Sequence, residues 1–112
     1  MIIWHNNRCR KSRETLALIE DKTSDIQIVN YLENPPSKQE LKETLAKLGM
    51  KAEQIVRKGE AIYKENFKGK ELSDEEWLEA LTKYPKLIER PIVIKGKEAI
   101  IGRPPENVNK LL

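Results

Sequence analysis

Residues 2–32, IIWHNNRCRKSRETLALIEDKTSDIQIVNYL, carry the pattern of a strand, a helix and a second strand. Ile2-Ile3-Trp4 is a short apolar run that stops at polar residues, as a buried strand does when it enters a loop. Residues 12–20 place apolar side chains at helical spacing, and residues 26–32 are β-branched and partly alternating before two prolines. This order predicts a right-handed βαβ unit whose two strands are parallel.

Two helix-start signals follow this unit. Ser37-Lys38-Gln39-Glu40 matches a capping box and predicts a helix over residues 38–48, which Gly49 ends. Ser73-Asp74-Glu75-Glu76 is a second capping box, and the helix that it starts should end at Tyr84-Pro85. Between these helices, residues 50–72 mix apolar side chains with many charges, which predicts short helical pieces and loops.

The last part of the chain has the pattern of a β-hairpin. Residues 92–94 and 99–101 are apolar runs on either side of a turn that contains Gly96, which predicts two antiparallel strands. Residues 106–112 are long enough for a brief terminal helix. A βαβ unit followed by ββα is the order of a thioredoxin-like α/β fold, here as a single domain over residues 1–112 with a helical insertion at about 37–86.

The composition is that of a soluble globular protein, with 38% apolar and 35% charged residues in 112. No apolar run is long enough for a membrane helix or a signal peptide, so we expect a cytoplasmic protein without membrane contact. The net charge of +3, with both signs mixed along the chain, does not indicate direct binding of nucleic acid. One cysteine and one histidine predict neither an internal disulfide nor a metal site.

Cys9 is the main candidate for chemistry because it lies where the first strand gives way to the helix. Four cations fall within residues 8–13, and the first acid after them is Glu14, so we expect an anionic ligand near this segment. A helix N-terminus and nearby cations both favour a thiolate. The alternative is an inert, buried cysteine. Arg8 and Arg10 argue against it, since they would not follow Cys9 into an apolar core.

Three other residues are placed to support Cys9. His5 lies four residues earlier, where its imidazole could interact with the sulfur or simply bond to the loop backbone. Ser12 could cap the helix or hydrogen-bond the thiolate. Pro91 opens a strand at a position where thioredoxin-like proteins commonly have a cis-proline facing the active thiol, although few X-Pro bonds are cis in general.

Five blocks of the sequence together resemble the glutaredoxin-coupled arsenate reductase (ArsC-type) family. They are residues 4–16 around the cysteine, the Tyr-Leu-x-x-Pro-Pro segment within 30–37, residues 56–58, residues 87–93 and residues 101–104. In order and spacing these blocks cover nearly the whole chain. The resemblance implies that Cys9 attacks arsenate, that His5 assists the thiolate with Asn6 beside it, and that three arginines bind the oxyanion: Arg57, Arg90 and Arg103.

The same resemblance implies that no cofactor is bound, that glutathione is a co-substrate and that glutaredoxin is a partner. A single cysteine agrees with this, because the missing electrons must come from other thiols. Without the resemblance, Arg57 would be interpreted as a solvated surface charge. Arg90 and Arg103 each precede a proline and adjoin an apolar strand, so we expect both to be held in place.

Two departures from the family pattern leave alternatives open. Asn7 stands where arsenate reductases usually have proline, and Arg10 stands where they have a small residue, so that Arg10 either crowds arsenate or strengthens anion binding. The superfamily also holds Spx-type regulators that bind RNA polymerase, often through a Cys-x-x-Cys switch that Ser12 removes here. A third possibility is a glutathione-dependent thiol reductase that acts on mixed disulfides.

Overall fold

The computed structural model describes residues 1–112 and contains one four-stranded sheet. Its strands are β1 (Ile2–His5), β2 (Gln27–Asn30), β3 (Ile92–Lys95) and β4 (Glu98–Ile101), in the order β2-β1-β3-β4. β1 pairs in parallel with β2, and β3 is antiparallel to both β1 and β4. The predicted βαβ unit, the hairpin and the thioredoxin-like fold are therefore confirmed.

Helix α1 (Arg10–Lys22) connects the two parallel strands, and it begins and ends two residues beyond the predicted range. Its buried face presents Ser12, Thr15 and Ile19. Ile19 packs in an apolar cluster with side chains of β1, β3 and the C-terminal segment: Ile3, Val93, Val108 and Leu111. The burial of this stripe anchors α1 on the sheet and so determines where the start of the helix lies.

The expected terminal helix is present as a 3₁₀ helix, Pro105–Leu111. The second strand is shorter than predicted, because β2 ends at Asn30 and the chain turns with Tyr31 fully buried. In the hairpin, Gly96 has φ +59°, a backbone conformation that favours glycine. Ile92 lies opposite Ile101, so the start of β3 and the end of β4 are side by side.

The chain divides into two compact units, one formed by residues 1–34 with 90–112 and the other by residues 35–89. The organisation as a single domain with an insertion stays a prediction. The second unit contains α2 (Lys38–Leu48), α3 (Ala61–Asn66) and α4 (Asp74–Lys83).

Both predicted capping boxes are present in this second unit. Ser37 accepts from the Glu40 N–H and Ser73 accepts from the Glu76 N–H. Gly49 ends α2 in the left-handed region at φ +68°. The helices α2 and α4 are thus specified by local sequence at their ends.

Short segments complete the second unit, as predicted for its middle. Two 3₁₀ helices, Ala52–Ile55 and Pro85–Leu87, are followed by Val56 and Ile88, which form an isolated antiparallel bridge. Beside this bridge the Arg57 N–H donates to the Leu87 carbonyl at 2.7 Å, and the Glu89 N–H donates to the Ile55 carbonyl at 2.8 Å. None of the helices has the length and apolar character that crossing a membrane would require.

Candidate active site

Cys9 occupies the N-cap position of α1, where the backbone changes from extended to helical conformation. Its N–H donates to the Asn6 carbonyl at 3.0 Å, and its own carbonyl accepts from the Arg13 N–H at 3.0 Å. Cys9 is 8% exposed, whereas Arg8 and Arg10 are both exposed. The argument that these cations would keep Cys9 from burial is therefore wrong, because neighbouring side chains leave a cap residue in different directions.

Arg103 brings a guanidinium to the thiol from the far end of the chain. Its Nη1 lies 3.9 Å from Cys9 Sγ and also donates to the Arg90 carbonyl at 3.1 Å. The alignment of β3 with β4 explains this proximity, because the Gly102 N–H donates to the Pro91 carbonyl at 2.9 Å just beyond the paired strands. The expectation that Arg103 is held in place at a strand end is confirmed.

Both prolines that follow these arginines have cis peptide bonds. The position of Pro91 in the fold favoured a cis bond at Arg90–Pro91, whereas the cis bond at Arg103–Pro104 was not predicted. Arg90 is half-buried, and its backbone carbonyl accepts from Arg103 Nη1.

The electrostatics of this arrangement favour an anion at Cys9. The Arg103 guanidinium lies beside the sulfur, and the α1 N-terminus contributes partial positive charge at the same place. A planar cation offers such an anion donors in a fixed geometry.

His5 and Ser12 form a buried pair below the loop that leads to Cys9. His5 Nδ1 lies 2.6 Å from Ser12 Oγ, and the Asn6 N–H donates to the same oxygen at 3.0 Å. Ser12 is thus engaged by His5 and the Asn6 backbone, and no side chain caps α1. The possibility that Ser12 caps the helix is wrong.

The pKa of His5 is held below its ordinary value of 6.5. Burial of the imidazole is the largest cause, the Arg13 guanidinium adds to it, and Glu20 opposes both. His5 is therefore neutral at pH 7, and it acts in the site as a hydrogen-bonding group rather than as a fixed cation.

Arg10 is directed along the surface of the helix. Its Nε donates to Glu14 Oε1 at 2.8 Å, and its side chain is 83% exposed. Arg10 is thus paired on the helix surface, and both alternatives for its effect on arsenate stay predictions. The Asn7 carbonyl, at the other departure from the family pattern, accepts from Arg13 Nη1 at 3.1 Å.

Arg57 lies in the second unit and is engaged by two carboxylates. Its Nη1 donates to Glu60 Oε1 at 2.8 Å and its Nε lies 3.7 Å from Glu89 Oε1. With 23% of its side chain exposed, Arg57 is not the solvated surface charge that its charged neighbourhood suggested. We did not predict either acid, and Arg57 and Glu60 lie outside helices, where spacing along the chain does not indicate a contact.

The family model of the ArsC family matches residues 4–111. The chain belongs to the ArsC family. It is 45% identical to the arsenate reductase of Haemophilus influenzae over 100% of this chain and 98% of that one. It is 44% identical to the uncharacterized protein YfgD of Escherichia coli K12, over 98% of this chain and 94% of that one.

A solved structure supports the same assignment. The arsenate reductase from Vibrio cholerae superposes on this ArsC chain with a TM-score of 0.93 at 45% identity, covering 99% of this chain and 96% of that one. The predicted family is therefore confirmed. The roles of the individual site residues stay predictions, including those of Arg57 and Arg90.

Proposed function

We propose that this ArsC-family chain is an arsenate reductase in which the Cys9 thiolate is the nucleophile. The observation that carries the proposal is the 3.9 Å approach of Arg103 Nη1 to Cys9 Sγ at the start of α1. This contact joins a nucleophile to an oxyanion donor in one place. The names of the relatives from Haemophilus influenzae and Vibrio cholerae support the choice of arsenate.

In the proposed reaction, the Cys9 thiolate attacks the arsenic of arsenate. A sulfur–arsenic bond forms, and one oxygen leaves as water after it takes up protons. The thiol of glutathione then displaces a second oxygen, again as water, to give an arsenic centre that carries both sulfurs. Arsenic is still pentavalent at this stage, and no electrons have been transferred.

Reduction occurs when a glutaredoxin thiolate attacks the sulfur of the bound glutathione. A mixed disulfide forms between glutaredoxin and glutathione, the glutathione sulfur–arsenic bond breaks, and its electron pair stays on arsenic, which becomes trivalent. Water then displaces Cys9 and releases arsenite. The two electrons thus come from two external thiols, as a chain with a single cysteine requires.

The remaining residues have supporting roles in this proposal. Arg103 offsets the charge of the arsenate as sulfur attacks, and we assign the side chains of Arg90 and Arg57 to the same anion and its thiol-bound intermediates. His5 fixes the loop before Cys9 through Ser12 and, being neutral, can accept a proton. We place the reaction in the cytoplasm, where reduced glutathione is available.

The test is arsenate-dependent oxidation of glutathione in the presence of glutaredoxin, for the wild type, Cys9→Ser, Cys9→Ala and Lys97→Gln. The last variant is the control, because Lys97 is exposed in the hairpin turn at the opposite end of the sheet from Cys9. Both Cys9 variants should lose all turnover and the control should retain it. Full activity of Cys9→Ser would refute the proposal.

A further inference from the structure

The positive charge of this protein is concentrated beside Cys9. Residues 8–14 contain four cations and one acid, a net charge of +3 that equals the net charge of the whole chain. All other residues together are therefore neutral. An excess of one sign around a nucleophile raises the local concentration of ligands of the opposite sign.

Two of the four cations are already engaged within the protein. Arg10 pairs with Glu14 at 2.8 Å, and Arg13 Nη1 donates to the Asn7 carbonyl at 3.1 Å. Arg8 and Lys11 are exposed and have no carboxylate within salt-bridge distance. They stand one residue before and two residues after the nucleophile, so they are the cations available to an external anion.

The size of that anion follows from where the groups lie. Cys9 is buried, and Arg103 already supplies a donor at its sulfur, which suits a small oxyanion. Arg8 and Lys11 are long, exposed side chains that flank Cys9 in the sequence. They suit an anion whose sulfur reaches inward to Cys9 while its charged ends remain at the surface.

We propose that Arg8 and Lys11 bind the two carboxylates of glutathione. This tripeptide carries its thiol on the middle residue and a carboxylate at each end, which matches a buried thiol with one exposed cation before it and one after it in the sequence. The inference rests on the proposed function only in taking glutathione as the thiol substrate. Arsenate is assigned to Arg103, so the two substrates contact different residues of the same site.

The test uses a reaction of Cys9 that does not need arsenate. The thiolate attacks one sulfur of oxidised glutathione, the disulfide bond breaks, a disulfide forms between Cys9 and glutathione, and glutathione thiolate leaves. Bis(2-hydroxyethyl) disulfide undergoes the same exchange without charged groups. The rate with each reagent is followed by mass spectrometry on the intact protein.

The readout is the ratio of the two rates in the wild type and in the double variant Arg8→Gln/Lys11→Gln. We expect the ratio to fall about tenfold, the size of two surface ion pairs, and to become nearly independent of ionic strength. Lys97→Gln, which removes an exposed charge at the other end of the sheet, should leave the ratio unchanged. The ratio cancels any general loss of thiol reactivity or of folded protein.

An unchanged ratio in the double variant would overturn the inference, whether both rates stay the same or both fall equally. A rise in KM for arsenate without a rise in KM for glutathione would overturn it as well, because the cations would then serve the oxyanion. If the ratio falls in the double variant as expected but the wild type does not turn over arsenate, the inference is supported and the proposed function is refuted. The two ideas therefore fail separately.

Discussion

A Cβ atom on Gly102 would lie 2.5 Å from Thr15 Oγ1, so this strand end and α1 are in contact at a place that only glycine allows. The same added Cβ would lie 2.8 Å from Pro91 Cγ. Residue 102 precedes Arg103, and its N–H donates to the Pro91 carbonyl at 2.9 Å. The closeness of this packing therefore determines how near Arg103 comes to Cys9.

Gly102→Ala should displace Arg103 and lower both activity and stability. We expect kcat/KM for arsenate to fall by about tenfold or more, because small misplacements of a positioning group are costly, and the free energy of unfolding to fall by about 1–3 kcal/mol from overpacking. Thr15→Ala removes two of the three closest atoms and should restore part of both losses in the double variant.

The control for this prediction is Gly59→Ala. Gly59 has no atom within 4 Å of an added Cβ and its φ lies outside the range that disfavours other residues, so alanine should be tolerated there. Kinetic assays and urea denaturation of the four proteins measure both quantities. Wild-type values of kcat/KM and stability for Gly102→Ala would contradict the prediction.

The limits of sequence-based prediction are clear at this contact. Helix α2 was predicted with its observed ends, because its capping box and its terminal glycine act within a few residues. The approach of Arg103 to Cys9 joins residues 94 positions apart and depends on strand register, which no local pattern encodes. That part of the candidate site was available only from the family resemblance.

Burial was less predictable than secondary structure. The charges beside Cys9 indicated exposure, yet the thiol is buried, because side-chain direction at a helix cap is set by backbone geometry rather than by neighbouring residue types. The carboxylates at Arg57 were likewise missed. Glu89 reaches it through the bridge between Val56 and Ile88, a non-local contact of irregular segments.

Arg103 should matter for arsenate far more than for disulfides. We expect Arg103→Ala to lower kcat/KM for arsenate by about 100-fold or more, the size found for loss of one donor to a developing anion, and to lower the turnover of a neutral mixed disulfide much less. Arg103→Lys keeps the charge without the planar fork and should lie between the two. Equal losses with both substrates would show that Arg103 acts on the thiol alone.

Arg57 should also contribute to stability through its two carboxylates. Arg57→Gln removes the guanidinium that contacts both Glu60 and Glu89, whose side chains are 29% and 27% exposed. We expect a loss of about 1–2 kcal/mol in the free energy of unfolding, less than for a fully buried pair. Glu60→Gln should cost less, because Glu89 still faces Arg57. Urea denaturation at pH 7 tests the order of the two losses, and the reverse order would contradict it.

His5 should make the stability of the protein depend on pH. Its pKa is lowered in the folded state, mainly by burial, while in the unfolded chain it returns to about 6.5. The unfolded state therefore binds more protons as the pH falls below 6.5, and the free energy of unfolding decreases through the folded-state pKa. Above pH 7 the imidazole is neutral in both states and has no such effect.

The measurement is urea denaturation between pH 7.5 and 5.0 for the wild type and His5→Gln. The variant should be less stable at pH 7.5, because Ser12 loses the 2.6 Å contact with the imidazole. Its stability should nevertheless fall less steeply with acid, by at most about 1.4 kcal/mol per pH unit for one proton. Parallel curves for the two proteins would mean that the acid sensitivity comes from other groups and that His5 titrates as it does in the unfolded chain.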